Sequence, residues 1–114
     1  MMSHTLCLNR QCLGLVTRIE CSIRPLSGSN GLWTLLCAAG LDGSQPTAIK
    51  AQGPFHGPRE AESVLGAIAS NLHGQGYLES ESPAIWELHM HAELRRVNAN
   101  QARFLCGWES RPER

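Results

Sequence analysis

The spacing of the apolar residues changes near the middle of this sequence, and the change limits the folds that the chain can adopt. Between Leu13 and Phe55 the apolar residues alternate with polar ones or form short unbroken runs, whereas from Ala61 to Leu72 they recur every third or fourth position. The first pattern is typical of β-strands and the second of an amphipathic α-helix. Because 114 residues allow one core of ordinary size, we expect a single α+β domain over residues 13–97.

Three strands are predicted before the helix. Residues 13–24 show a good alternation of apolar and polar residues, residues 32–41 are apolar on both faces, and residues 47–55 alternate again. The segments between them contain SGSNG and Asp42-Gly43, which are residues that turns favour. Because short turns join antiparallel neighbours, these strands are expected to form a mostly antiparallel sheet.

The helix is predicted to begin at Pro58 and to end at Gly74. Proline is tolerated at the first helical position, where its missing N–H would have no partner, and glycine commonly follows the end of a helix. The apolar positions form one stripe, which consists of Ala61, Val64, Leu65, Ile68 and Leu72. A single stripe indicates that one helix packs across one face of the sheet.

Residues 49–77 resemble the strand–elbow–helix unit of SPOR domains, a family that binds denuded peptidoglycan glycan strands. The shared residues are Gly53-Pro54-Phe55 at the elbow, Glu60-Ala61-Glu62 at the helix start, Leu65, Leu72 and Gly76-Tyr77. A hairpin stands here in place of the first helix of those domains. The resemblance therefore implies a local geometry, with Phe55 in the core, and we carry over no glycan-binding residue from it.

The segment after the helix allows two interpretations. Residues 86–95 alternate between apolar and polar without a break, which indicates a fourth strand and the order β-β-β-α-β. The same residues favour helices and follow Ser82-Pro83, so a helix is the alternative. We expect residues 1–12 to form a lead-in segment, and residues 98–114 a polar C-terminal tail with a short helical turn.

A sheet with one helix leaves a face uncovered, and candidate contact residues fall on that face. Leu36 and Ala38 would offer an apolar patch to a protein partner or to a second copy of the chain. The first alternative is a nucleic acid, held by basic side chains of the polar sheet face and of the last segment. These basic residues are Arg18, Arg24, Lys50, Arg95 and Arg96.

His89 and His91 suggest a third class of function. On a strand, residues i and i+2 point to the same side, so both imidazoles could reach one metal ion. Glu87 and Glu93 share that side, yet no third nitrogen or thiolate ligand is placed to complete the site. A small metalloprotein is therefore the second alternative, while the first interpretation needs no metal and no cofactor.

Charge and motifs narrow the function further. The charges of ten basic and ten acidic residues cancel. The protein therefore has no strong overall electrostatic field that would attract nucleic acid or an anionic membrane. The sequence contains no catalytic motif such as G-x-S-x-G, no apolar run long enough to cross a membrane and no signal-peptide pattern. Its five cysteines are expected as reduced thiols. We therefore expect a non-enzymatic cytoplasmic binding or regulatory protein that acts through macromolecular contact, without a membrane or a small-molecule substrate.

Overall fold

The computed structural model describes residues 5–26, 31–81 and 83–110, with side chains as far as residue 100. Within these ranges the elements are β1 (Thr5–Cys12), β2 (Leu15–Pro25), β3 (Trp33–Leu41), β4 (Pro46–Phe55), α1 (Pro58–Gly74), β5 (Leu78–Glu79) and α2 (Glu87–Ser110). The described strands form one antiparallel sheet in the order β4-β3-β2-β1-β5. The predicted α+β class with a mostly antiparallel sheet is confirmed, as are three strands before a helix at β2, β3, β4 and α1.

Both segments that the sequence predicts outside the domain contain secondary structure. Most of the lead-in, residues 1–12, is strand β1, which pairs with β2 along its whole length. Residues 98–110 of the predicted polar tail continue helix α2 rather than forming one short turn. Residues 1–4 and 111–114 lie outside the described residues.

A tight turn at Leu13 and Gly14 joins β1 to β2. Their φ values are 55° and 79°, and positive φ at both central residues gives a hairpin the twist that its strands require. The hairpin brings Leu8 of β1 beside Ile19 of β2, where Leu8 is fully buried. The turn therefore places β1 beside β2, with Leu8 in the protein interior.

One face of the sheet packs against α1, as predicted. Cys21 of β2 and Leu35 of β3 point to this face and form a core cluster with Leu65 of the helix. The elbow implied by the SPOR resemblance is present as well, because β4 ends at Phe55, whose ring packs on this cluster, and α1 begins at Pro58.

Leu65→Ala is expected to lower the free energy of unfolding by about 2–5 kcal/mol, because it leaves a cavity between α1 and the sheet. Leu78→Ala removes the same atoms from an exposed position and should change that free energy by less than about 0.5 kcal/mol. Urea unfolding followed by circular dichroism compares the two variants, and equal midpoints would contradict this account of the core.

Residues 86–95 do not form the predicted fourth strand. Residues 87–95 belong to α2 and Trp86 immediately precedes it, so the helical alternative is the correct one. Trp86, Met90 and Leu94 stand four residues apart and therefore share one side of the helix, which packs on the sheet. Leu88 belongs to the same alternation but not to that side, and it is 83% exposed.

Helix α2 covers the second face of the sheet. Trp86 and Met90 pack on Leu36 and Ala38 of β3, and Ile49 of β4 lies beside them. The sheet is therefore a middle layer between two helices, which is why β3 is apolar on both sides. In the described part of the chain, neither helix is both long and apolar enough to cross a membrane.

Candidate functional site

A buried ion pair lies between the sheet and the start of α2. Arg18 and Glu20 of β2 are each 2% exposed, and Arg18 Nε donates to Glu20 Oε2 at 2.7 Å. The guanidinium also donates from Nη2 to the carbonyl oxygen of Pro83 at 2.6 Å and from Nη1 to Asp42 Oδ1 at 3.2 Å. Burial disfavours the charged form, but the hydrogen bond to Glu20 and the neighbouring charges outweigh it and raise the pKa of Arg18.

The Glu20 carboxylate holds the chain where α2 begins. Its Oε2 accepts from the backbone N–H of Ile85 at 2.8 Å, and its Oε1 accepts from that of Trp86 at 3.2 Å. A carboxylate at this place also interacts favourably with the positive end of the helix dipole. The Trp86 indole adds a hydrogen bond from Nε1 to the carbonyl oxygen of Ser44 at 2.8 Å. The polar side chains of β2 are therefore buried between the sheet and α2, and they fix the start of α2 to the sheet.

The apolar sheet face that was expected to be uncovered is covered by α2. Leu36 is 1% exposed and Ala38 is 0% exposed, because Trp86 and Met90 lie on them. Arg18 is equally inaccessible inside its ion pair. All three residues lie on the face that α2 occupies, and none of them can contact a partner without displacing that helix.

The predicted basic sheet face does not exist as one surface. Arg24 is half-buried, and its Nη2 lies 4.0 Å from a carboxylate oxygen of Glu87 on α2. Lys50 is exposed on β4, whereas Arg95 and Arg96 are exposed on α2. Because α2 covers the polar face of β2, the single basic sheet surface that the nucleic-acid alternative assumed is absent.

His89 and His91 do not share a face. Residues two apart on a helix point about 200° away from each other, so one metal ion cannot meet both imidazoles. His89 is half-buried, and His91 is exposed. Among the described residues no three histidine, cysteine, aspartate or glutamate side chains group so that they could hold a metal ion. The shared strand face on which the predicted metal site depended is therefore absent.

A groove of about 470 Å³ runs between β4 and α2. Its β4 wall consists of residues 49–54, and its α2 wall includes Glu93, Arg96 and Val97. Leu26, which follows β2, also lines it. Its volume lies within the range of about 300–1,000 Å³ that is usual for ligand sites, and its lining combines apolar side chains with a few polar ones.

Two backbone hydrogen bonds, one at each end of the β2–β3 pair, show which residues of β3 are hydrogen-bonded to β2. The backbone N–H of Asp42 donates to the Val16 carbonyl, and that of Leu26 donates to the Leu32 carbonyl, both at 2.8 Å. Antiparallel neighbours alternate between hydrogen-bonded and non-hydrogen-bonded pairs. Even-numbered residues of β3 therefore bond to β2, and odd-numbered residues bond to β4.

The groove side of β4 is an open sheet edge. Lys50 pairs with Cys37, an odd-numbered residue of β3, so its backbone bonds inward. Ile49 and Ala51 consequently turn their N–H and C=O groups away from β3, and no described strand lies on that side. Backbone groups in this position can pair with an added strand.

Charged side chains of both signs stand along the groove. Arg96 donates from Nε to Glu93 Oε1 at 3.2 Å and from Nη2 to the second carboxylate oxygen, and this hydrogen bonding raises the pKa of Arg96. Lys50 lines the opposite wall, and Arg95 is exposed next to Arg96 on α2. The structure thus brings two of the predicted contact residues, Lys50 and Arg96, to one site.

Comparison with protein families gives a match that covers almost the whole chain. No curated protein and no solved structure matches it. The family described as PA4575-like protein matches residues 2–114, which include all the strands and helices named above. The chain therefore belongs to the PA4575-like protein family.

Proposed function

We propose that this protein is a non-enzymatic binding protein that holds an extended segment of another polypeptide in the groove between β4 and α2. The observation that carries the proposal is the open edge of β4, where the backbone groups of Ile49 and Ala51 point away from β3, beside a groove whose second wall is helical. Addition of a strand to an open sheet edge is a common way in which domains recognise peptides, and main-chain hydrogen bonds supply much of the affinity.

The bound segment lies beside β4 as a further strand. It exchanges backbone hydrogen bonds with Ile49 and Ala51, and its side chains point alternately to the two faces of the sheet. Those on the α2 face meet Val97 and the paired Glu93 and Arg96, which supply one apolar and one polar contact region. Contacts with α2 then discriminate between peptide sequences, while the backbone hydrogen bonds to β4 supply binding that does not depend on the sequence.

The occupant is another polypeptide rather than a second copy of β4. Two β4 strands that paired about Lys50 would place the two ammonium groups directly opposite each other, which destabilises a strand pair. An exposed lysine on an edge strand is also a common device against edge-to-edge association. Lys50 therefore favours a partner with a neutral or acidic side chain at the opposing position.

The cytoplasm is the compartment that we propose for this activity. Cys7, Cys12, Cys21 and Cys37 are free thiols, a state that the cytosol maintains and that secretory compartments oppose.

The experiment is selection of peptides from a random displayed library on the immobilised protein, followed by affinity measurement with two variants of one residue. Ala51→Pro removes the outward N–H and puts a ring in the path of the added strand, and Ala51→Ser keeps the N–H. We expect Ala51→Pro to weaken binding of the selected peptides by at least about tenfold, whereas Ala51→Ser binds within about threefold of the original chain. Circular dichroism verifies that both variants are folded.

Two results would overturn the proposal. One is a set of selected peptides that bind Ala51→Pro and Ala51→Ser equally well, which would place binding elsewhere. The other is a dimer in light scattering that Ala51→Pro converts to a monomer, which would show that a second copy occupies the edge.

A further inference from the structure

Cys21 of β2 and Cys37 of β3 are direct neighbours across the two strands. They are register partners in the antiparallel pair, and both side chains point to the α1 face. This position lies on the opposite side of the sheet from α2, so the pair is separate from the groove wall that α2 forms.

The pairing type decides whether the two sulfur atoms can bond. Asp42 and Val16 form a hydrogen-bonded pair, and Cys21 with Cys37 lies an odd number of steps further along the same ladder. Cys21 and Cys37 are therefore a non-hydrogen-bonded pair, in which Cα atoms stand about 4.5 Å apart. Disulfides span Cα separations of about 4.4–6.8 Å, so the backbone already stands at a distance that a disulfide can bridge.

The thiols differ in access and in acidity. Cys21 is buried under α1, whereas Cys37 is half-buried and reaches solvent. The Cys21 thiol donates a hydrogen bond to the Cys37 sulfur, which lowers the pKa of Cys37. That hydrogen bond and burial raise the pKa of Cys21. Cys37 is thus the accessible sulfur that more readily becomes a thiolate, which is the nucleophilic form.

The geometry points to a reactive dithiol at Cys21 and Cys37, whose substrate is a low-molecular-weight disulfide and whose oxidised form is a disulfide across β2 and β3. In the first step the Cys37 thiolate attacks one sulfur of the substrate, forms a mixed disulfide and releases one thiolate. In the second step Cys21 gives its proton to solvent and attacks Cys37 Sγ, which releases the second thiolate. The protein loses two electrons and two protons, and the substrate disulfide is reduced to two thiols.

The new bond closes a loop through residues 22–36, which includes the connection between the two central strands. Such a bond restricts the unfolded chain, and for a loop of this length the melting temperature should rise by about 5–15 °C. The Cβ atoms must approach each other by up to about 1 Å, since opposed residues of a sheet keep them somewhat further apart than a disulfide does.

The experiment uses the full chain with Cys7, Cys12 and Cys106 replaced by serine, so that Cys21 and Cys37 are its remaining thiols. The folded protein is incubated with oxidised glutathione, denatured with an alkylating agent and weighed by mass spectrometry. We expect a loss of two hydrogens, no glutathione adduct and no alkylation. Chymotryptic peptides joined through Cys21 and Cys37 locate the bond, and the melting temperature should rise as stated above.

Two further variants separate the steps. In the same background, Cys21→Ser should stop at the mixed disulfide and keep one glutathione on Cys37, whereas Cys37→Ser should remain unmodified because Cys21 is buried. The inference is overturned if, after incubation with oxidised glutathione, the protein that retains both Cys21 and Cys37 is still alkylated at both thiols. It is also overturned if glutathione stays attached to that protein. It is also overturned if the Cys37→Ser protein, still folded by circular dichroism, is modified as fast as Cys21→Ser.

Discussion

Glu20→Ala is expected to lower the free energy of unfolding by about 3–5 kcal/mol, the usual cost of removing one partner from a buried ion pair. The substitution leaves the Arg18 guanidinium buried without its carboxylate. It also leaves the backbone N–H groups of Ile85 and Trp86 without the acceptor that holds the start of α2. Urea unfolding, followed by circular dichroism, measures the loss.

Glu81→Ala is the control for this prediction, because it removes an exposed carboxylate and should change the free energy of unfolding by less than about 0.5 kcal/mol. A second control replaces both partners, as Arg18→Met with Glu20→Leu. Removal of both charges leaves no unpaired ion, so the double variant should be more stable than Glu20→Ala alone. If Glu20→Ala is as stable as Glu81→Ala, the ion pair does not anchor α2.

Trp86→Ala is expected to cost about 3–5 kcal/mol, which is typical of removing a buried aromatic side chain. The indole packs on Leu36 and Ala38, and its Nε1 donates to the carbonyl oxygen of Ser44 at 2.8 Å. The variant therefore loses the contact between α2 and the sheet together with a hydrogen bond to the turn after β3. Denaturant unfolding of the full chain measures the effect.

Leu88→Ala supplies the matched control on the same helix. Leu88 is exposed, so its truncation should change the free energy of unfolding by less than about 0.5 kcal/mol. Trp86→Phe keeps an aromatic ring and loses the indole donor, and its cost should fall between the two. A strand at this position would place Trp86 and Leu88 on the same face, so equal losses for their alanine variants would contradict the helical assignment.

The elements that could be predicted from the sequence are those whose burial follows from local pattern. Strands β2 and β4 and helix α1 each have turn or capping residues near their ends. The apolar residues of β2 and α1 also mark the faces that form the cluster between them. β1 could not be predicted as easily, because Asn9, Arg10 and Gln11 interrupt its apolar residues. Its place in the sheet depends on pairing with β2 on one side and β5 on the other.

The sequence of helix α2 also fits a strand because its apolar residues satisfy two periods at once. Trp86, Met90 and Leu94 fit both alternation and a spacing of four, and Leu88 completes the alternation without being buried. The deciding contact lies far away in the sequence, where Glu20 accepts hydrogen bonds from the residues before the helix. Charged residues are rarely buried unless they are paired, so the local pattern of β2 gives no sign that Glu20 is buried.

The groove could be predicted only in part. Lys50 and Arg96 stood out because they are charged, but Ile49 and Ala51 contribute backbone groups whose direction depends on the register with β3. No side-chain pattern records that direction. Val97 reaches the groove only because residues 86–95 form a helix and carry the chain across the sheet face.

Amide hydrogen exchange measured residue by residue by NMR tests the open edge of β4 most directly. In the free protein the amide of Lys50, which bonds to β3, should exchange slowly, while those of Ile49 and Ala51 exchange fast. A peptide selected on the protein should slow exchange at Ile49 and Ala51 and leave Lys50 unchanged. Protection of Ile49 and Ala51 in the free protein, or peptide binding that leaves their exchange fast, would contradict the proposed function.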